Sequence, residues 1–281
     1  MRFAEDVKRF MRPDGDRLVA LAGLLAARAL RYSVVKTGDA RHVMVRVGRS
    51  KPRLAFVAHY DRFAGSPGTL DNSCACLQLA EFAARKSVVL DRTGPKGAPP
   101  SFLVAFTDAE EAPVSSKPFT QGSYALARKL KAAAGAGDAL AAIVLDVTGR
   151  GDRLLLSKAP AELLARRGLS LSPAAVGHRS LVSLAKRAAL RAGLAEPLEA
   201  GLPWSDDLGL TLGGLPALTI SLLPAPEAAM LAAGKRPPLW GLLHTEADSP
   251  ELAQKGAFDL MSAFLDALVV ELARPPEGSL Y

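Results

Sequence analysis

Short, unbroken apolar runs separated by Ala- and Leu-rich stretches most limit what this chain can become. "RLAFVAH" (53–59), "SFLVAFT" (101–107), "LAAIVLDV" (140–147) and "PALTISLL" (216–223) read as strands. Helical stretches fall between and after them: "DNSCACLQLAEFAARKS" (71–87), a segment from about Gly122 to Ala134, one near 160–167, and "HRSLVSLAKRAALRAG" (178–193). Such alternation predicts an α/β fold with a mostly parallel or mixed sheet. "HVMVRVG" (42–48) alternates with period two, and the "RSKP" turn after it suggests a hairpin with 53–59. The closing helix is expected to take Ser249 as its N-cap and Pro250 as its first residue. The Pro/Gly-rich stretch 224–241 reads as a long loop of the kind that carries binding residues.

With 281 residues, 49% of them hydrophobic, the chain can form one large domain over 1–281 without needing a second. Cys74 and Cys76 are too few for a disulfide framework and read as reduced core thiols. The net charge of +7 raises the question of an anionic partner. Yet the Lys and Arg are scattered at the spacing of solvated helix faces, with no aromatic platform among them, which argues against nucleic acid. The N-terminal stretch lacks the apolar core of a signal peptide. No segment approaches the roughly 20 uncharged apolar residues of a membrane span. A cytoplasmic protein with no membrane partner is expected.

"VAFTDAEEAP" (104–113) then poses a problem, because adjacent glutamates follow directly on a buried strand. Like charges repel, and each is costly to desolvate unless something positive sits beside it. Other potential ligands also stand where strands stop or helices start. His59 and Asp61 end "RLAFVAHYD", Asp71 opens a helix, Asp146 ends "AAIVLDV", and "LLHTEAD" supplies His244 and Asp248. Such rims are where open α/β sheets build sites. Singly each residue has an ordinary structural explanation: Asp71 suits an N-cap, and Asp146 a turn. His42 and His178 read as structural.

The ordered set H-x-D, D-N, E-E, a strand-end D, then H-T-x-x-D resembles the di-zinc aminopeptidases of peptidase family M28. The resemblance runs from about residue 40 to the C-terminus and implies a three-layer α/β/α sandwich around a mixed sheet. It implies that His59 and Asp146 bind one zinc, Glu111 and His244 the other, and that Asp71 bridges them. Glu110 would be the general base in hydrolysis by a metal-bridged hydroxide, removing N-terminal residues from peptides with free N-termini. Carboxylate oxygens and imidazole nitrogens suit Zn²⁺, and a water shared by two metals loses its proton near neutral pH. Asp61 and Asp248 would accept from the remaining ring nitrogens of His59 and His244.

The insertion "APVSSKPFTQ" before Gly122-Ser123 also resembles the related glutaminyl cyclases, which use one zinc and form N-terminal pyroglutamate. There the zinc ligands would be Asp71, Glu111 and His244, with Glu110 shuttling the proton. In "WSDDLGLTLGGLP", Asp206 aligns with an acid of that relative's pattern and would line the pocket to meet a substrate amine; a helix cap is the plainer alternative. The Trp that precedes the His-Thr in the cyclases is Leu243 here, and Trp240 is a candidate to fill its space. That missing Trp favours the aminopeptidase. A third reading is a non-catalytic binding protein of the same fold, but it would tolerate loss of Glu110, Asp71 or His244, and all are intact.

Overall fold

The computed structural model describes residues 10–12, 15–92, 100–111, 118–134 and 140–274. Its centre is an eight-stranded sheet in the order β1-β2-β4-β3-β5-β8-β6-β7. The strands are β1 (Ser33–Thr37), β2 (Ala40–Val47), β3 (Leu54–His59), β4 (Phe102–Thr107), β5 (Ala141–Leu145), β6 (Arg153–Ser157), β7 (Leu198–Ala200) and β8 (Ala217–Leu223). β4, β3, β5 and β8 run parallel, while β1, β2 and β6 supply the antiparallel pairs. The helices are α1 (Arg17–Ala26), α2 (Cys74–Arg92), α3 (Gly122–Ala134), α4 (Ala159–Arg166), α5 (Pro173–Arg191), α6 (Asp206–Leu212), α7 (Ala225–Ala232) and α8 (Lys255–Leu272).

The central strands are apolar along their whole length because both faces are covered. Leu54, Phe56, Ile143 and Leu145 point into one core with Phe82, Phe102 and the apolar faces of α5 and α8. There Phe56 meets Phe82 and Phe102 edge-on, with ring centroids 5.1 and 5.3 Å apart. The alternate residues Ala55, Val57, Ala142, Val144 and Ala217 face a second, smaller core with Leu126 and Leu210. Small side chains on that face let α3 and the short α6 approach the sheet closely. This is the expected three-layer α/β/α sandwich.

The expected hairpin of 42–48 with 53–59 does not form. β4 lies between the two, pairing antiparallel with β2 and parallel with β3. The turn after β2 crosses over the start of β4 instead: Ser50 N–H donates to Ser101 Oγ at 2.9 Å. Gly48 makes that approach possible, since it has φ +92° and a Cβ there would lie 2.2 Å from Ser101 Oγ. β2 finds its hairpin partner on the other side, in β1, through a two-residue Gly38-Asp39 turn with Thr37 opposite Ala40. Two further expectations are corrected. Ser249 precedes only a 3₁₀ turn (Pro250–Leu252) and makes no side-chain cap, so the last helix starts at Lys255. The stretch 224–241 is not one loop, because it holds α7, whose Pro226 sits in the first turn where a missing N–H costs nothing.

The chain leaves β3 for β4 on one side and then returns past β3 to β5 on the other. Strand order therefore reverses at β3, and the crevice beyond its C-terminal end is where such sheets bind ligands.

Candidate active site

The ends of β3, β4 and β5 fall on one edge of the sheet and supply His59, the Glu110-Glu111 pair and Asp146. Each of the remaining two residues comes from a turn. Asp71 lies in the π-type turn Thr69–Ser73 ahead of α2, with non-helical φ −116° and ψ 83°. His244 follows the 3₁₀ turn Pro238–Gly241 and takes φ +62°.

Asp71 is the hub. Its Oδ1 lies 3.1 Å from His59 Nε2 and its Oδ2 3.1 Å from His244 Nε2. Asp146 Oδ1 stands 3.6 Å from His59 Nε2, and Glu111 Oε2 3.2 Å from His244 Nε2. Among the described residues two triads share Asp71, His59-Asp71-Asp146 and Asp71-Glu111-His244, and a third group, His59-Glu110-Glu111, overlaps them; the ligand atoms of each lie within 4.8 Å of one another. Tetrahedral zinc with bonds near 2.0–2.1 Å sets its ligand atoms about 3.3 Å apart, close to these separations. His59 Nε2, Glu111 Oε1 and Asp146 Oδ1 are moreover buried and make no hydrogen bond. An oxygen/imidazole donor set with unsatisfied buried atoms fits a divalent cation in each triad.

The surroundings aim these groups. Asn72 Nδ2 donates to Leu145 O at 2.8 Å, tying the Asp71 turn to the end of β5. Arg17 reaches in from α1, donating to Tyr60 O at 2.6 Å and Ser73 Oγ at 2.8 Å. Asp61 Oδ2 accepts the Glu111 N–H at 2.9 Å, while its Oδ1 stands 3.5 Å from His59 Nδ1. Asp108, the third carboxylate of the acidic run, caps the turn rather than joining the site. It accepts from Arg41 N–H at 2.8 Å and Ala109 N–H at 3.0 Å. The His244 ring stacks on Phe63, centroids 4.7 Å apart and planes 10° apart. Gln121 Nε2 donates to Glu110 Oε1 at 3.2 Å.

Two residues stand elsewhere than the sequence suggested. Asp248 turns away from His244 and accepts the backbone N–H groups of Leu70 (2.8 Å) and Asp71 (3.2 Å). It orients the hub from behind, because donors freed by the non-helical turn need a buried acceptor. Asp206 is fully buried, accepts from Thr107 Oγ1 and is not among the residues lining the cavity that holds Glu110, so it is not placed to meet a substrate amine there. Its charge acts instead on Glu110.

Burial strongly disfavours the Glu110 carboxylate; the nearby His59 opposes this, but the charges of Asp206, Asp146 and Asp71 add to it and hold its pKa well above the usual range. Burial likewise pushes Asp206 up to about 6. His59 shows the reverse balance, since burial works against its imidazolium but Asp146, Asp61 and Asp71 overcome it and raise its pKa. Asp71 and Glu111 beside His244 raise that ring to about 10. Burial alone would raise Asp71, yet its two imidazole neighbours pull it below the ordinary carboxylate range. The site is thus a cluster of anions organised around positive charge.

Asp71, Glu110, Glu111, Asp146 and His244 line a cavity of about 420 Å³ together with Leu202, Trp204, Trp240 and Leu243. Trp240 lines this cavity, and so does Trp204, which no sequence pattern marks.

The sequence profile of peptidase family M28 matches residues 42–269. The chain belongs to peptidase family M28. The fold of this M28 chain is similar to that of Porphyromonas gingivalis glutaminyl cyclase, with a TM-score of 0.65 at 18% identity, covering 95% of each chain. It is also similar to a Zn-dependent exopeptidase from Parabacteroides distasonis, with a TM-score of 0.64 at 17% identity over 96% of this chain and 95% of that one. Legionella pneumophila LapA aminopeptidase gives 0.66 at 18% identity over 96% of this M28 chain and 70% of its own. No curated protein sequence matches the chain. Among the described residues, no helix is long and apolar enough to cross a membrane.

Proposed function

We propose that this M28 member is a zinc-dependent aminopeptidase that acts as one catalytic domain and removes N-terminal residues from peptides. The observation that carries this reading is the position of Asp71, whose two oxygens each lie 3.1 Å from a different imidazole. His59 and Asp146 would hold one zinc, Glu111 and His244 the second, and Asp71 both. When bound, the ions supply Lewis acidity, polarising a carbonyl and bringing the pKa of water towards neutrality.

The protein's own groups move the proton. Glu110 takes it from the attacking water and gives it to the departing amine nitrogen. Gln121, bonded to Oε1, fixes the carboxylate plane and leaves Oε2 to accept. Asp61 orients both neighbours, its backbone O standing 3.3 Å from His59 Nδ1 and its Oδ2 accepting the Glu111 N–H. Both cysteines are buried free thiols, which supports a reducing, cytoplasmic setting.

A second reading, a single-zinc glutaminyl cyclase, is favoured by the acidic Asp206 behind Glu110 and by the likeness to the bacterial cyclase fold. Mass spectrometry of a peptide mixture incubated with the zinc-loaded protein separates the two. Stepwise loss of N-terminal residues is expected. Loss of ammonia from glutamine-initiated peptides alone would establish the cyclase, and no change in any peptide would leave a binding protein.

A further inference from the structure

The carboxylates of the cavity lie together, with Asp71, Glu110, Glu111 and Asp146 all among its lining residues. The same lining includes one permanent cation, Arg236. Arg236 stands between α7 and the 3₁₀ turn Pro238–Gly241, on a segment held firmly at both ends. α7 closes through Gly234, with φ +73°, and Lys235 N–H donates to Met230 O at 2.9 Å. Beyond it, Pro237 and Pro238 fix the backbone. Buried Leu239 then donates its N–H to Glu227 Oε2 at 2.7 Å.

Arg236 is an exposed residue, and its Nη2 donates to Trp240 O at 3.1 Å, which ties the guanidinium to the other residue of this segment that lines the cavity. No carboxylate among the described residues pairs with it. A guanidinium carries five N–H donors, so most remain available to a ligand. The two tryptophans of the chain, Trp204 and Trp240, both line this cavity, and Trp204 is 62% exposed. Trp240 is half-buried and packs against the core, so it is a firm wall, and an exposed indole beside a cavity with an unpaired guanidinium is typical of ligand-contact surface.

We infer that Arg236, with Trp204 and Trp240, forms a carboxylate-receiving subsite, so that the preferred substrates are short peptides with a carboxylate on the residue after the first. This rests on the aminopeptidase reading for its chemistry, though its test does not. The charge layout gives the ligand a direction: its amine goes towards the acidic cluster and its carboxylate towards Arg236. That carboxylate is either the C-terminus of a dipeptide or an acidic side chain. The cavity of about 420 Å³ is within the 300–1,000 Å³ range of small-ligand sites.

Both indoles report on the subsite, so binding can be read from stopped-flow tryptophan fluorescence of the zinc-loaded protein ahead of any turnover. Three ligands separate the sources: leucyl-glycine (terminal carboxylate), leucyl-aspartic acid α-amide (side-chain carboxylate only) and leucyl-glycinamide (neither). A charge-assisted hydrogen bond predicts that at least one carboxylate ligand binds roughly tenfold or more tightly than the glycinamide. Whichever is tighter names the source. Arg236→Gln should erase that advantage, bringing the carboxylate ligands level with the glycinamide, while Arg236→Lys should retain part of it. Equal binding of all three ligands, an advantage that survives in Arg236→Gln, or no fluorescence response to any would overturn the inference. Hydrolysis of the same ligands, followed in parallel, tests the aminopeptidase reading separately: a carboxylate advantage without hydrolysis refutes that reading and leaves the subsite standing.

Discussion

Replacing Gly122 with alanine should damage the active site although the residue touches no substrate. Gly122 opens α3, and its N–H donates to Ala109 O at 3.1 Å, inside the turn that delivers Glu110 and Glu111. A Cβ at this position would lie 2.0 Å from Asp108 O and 2.9 Å from His42 Cε1, where real Cβ contacts essentially never fall below 3.0 Å. The nearer atom is backbone and has no rotamer to escape into, so the turn or the helix must retreat by about 1 Å. Overpacking of this kind costs about 1–3 kcal/mol, enough to lower Tm by several degrees in a domain of this size. A catalytic carboxylate misplaced by about 1 Å loses on the order of 10²-fold in rate. The assay is kcat/KM on an aminoacyl anilide with the zinc-loaded protein, alongside a thermal melt. Gly23→Ala is the matched control, because it lies within α1, exposed, with nothing within 4 Å of its added Cβ. There the same change should add about 0.5–1 kcal/mol through helix propensity. If Gly122→Ala keeps kcat/KM within threefold of wild type and melts within a degree of it, the turn is not braced against α3 and the reasoning fails.

Glu110→Gln should keep the fold and bound zinc while losing roughly 10²–10⁴-fold in kcat; near-normal turnover, with zinc content checked by elemental analysis, would remove Glu110 from proton transfer. Asp71→Ala should lose both ions, since its oxygens face both imidazoles; stoichiometric zinc retained after dialysis would refute the shared role. Asp207 gives a pH test away from these groups. Burial pushes its carboxyl up to about 7, with the Thr219 N–H at 3.3 Å from Oδ2. The folded state therefore keeps a proton that the unfolded chain releases, and this group's contribution to stability falls as pH rises from about 4 to about 7. Asp207→Asn removes that titration, so its stability relative to wild type should improve across the window by on the order of 2–4 kcal/mol and then level off. Denaturant midpoints at pH 4.5 and pH 8 measure it, and an unchanged difference between the two proteins would count against the assignment.

The layers of the fold were legible in the sequence and the pairing was not, for a physical reason. A strand buried on both faces announces itself by an unbroken apolar run, as 54–59, 102–107 and 141–145 do. Which run lies beside which depends on contacts distant in sequence. The 42–48 and 53–59 segments look like a hairpin until Ser101 occupies the space over Gly48. β1 is not legible, because "SVVKT" is largely exposed at the sheet edge and its pattern carries little burial signal. α7 was hidden by the prolines around it, although Pro226 in a first turn is compatible with a helix.

The site follows the same division. His59, Glu110, Glu111 and Asp146 could be found because parallel strands bring their C-terminal ends to one edge, and a polar residue just past an apolar run is visible in sequence. Direction of aim is not. Asp248 follows His244 by four residues, which suggested a partner for that imidazole, but the chain there is not helical and the carboxylate turns back to the Leu70 and Asp71 N–H groups. Asp206 looked like a pocket residue by its place in a motif, yet it opens α6 on the side of the sheet packed by α3 and is sealed beneath Glu110's strand. Both acids act on the site through its supports, one by fixing the backbone of the hub and the other by raising the proton affinity of Glu110. A motif names the residues that meet at the strand ends; the buried acceptors that hold those residues in register become visible only when every freed N–H of an irregular turn is traced to its partner.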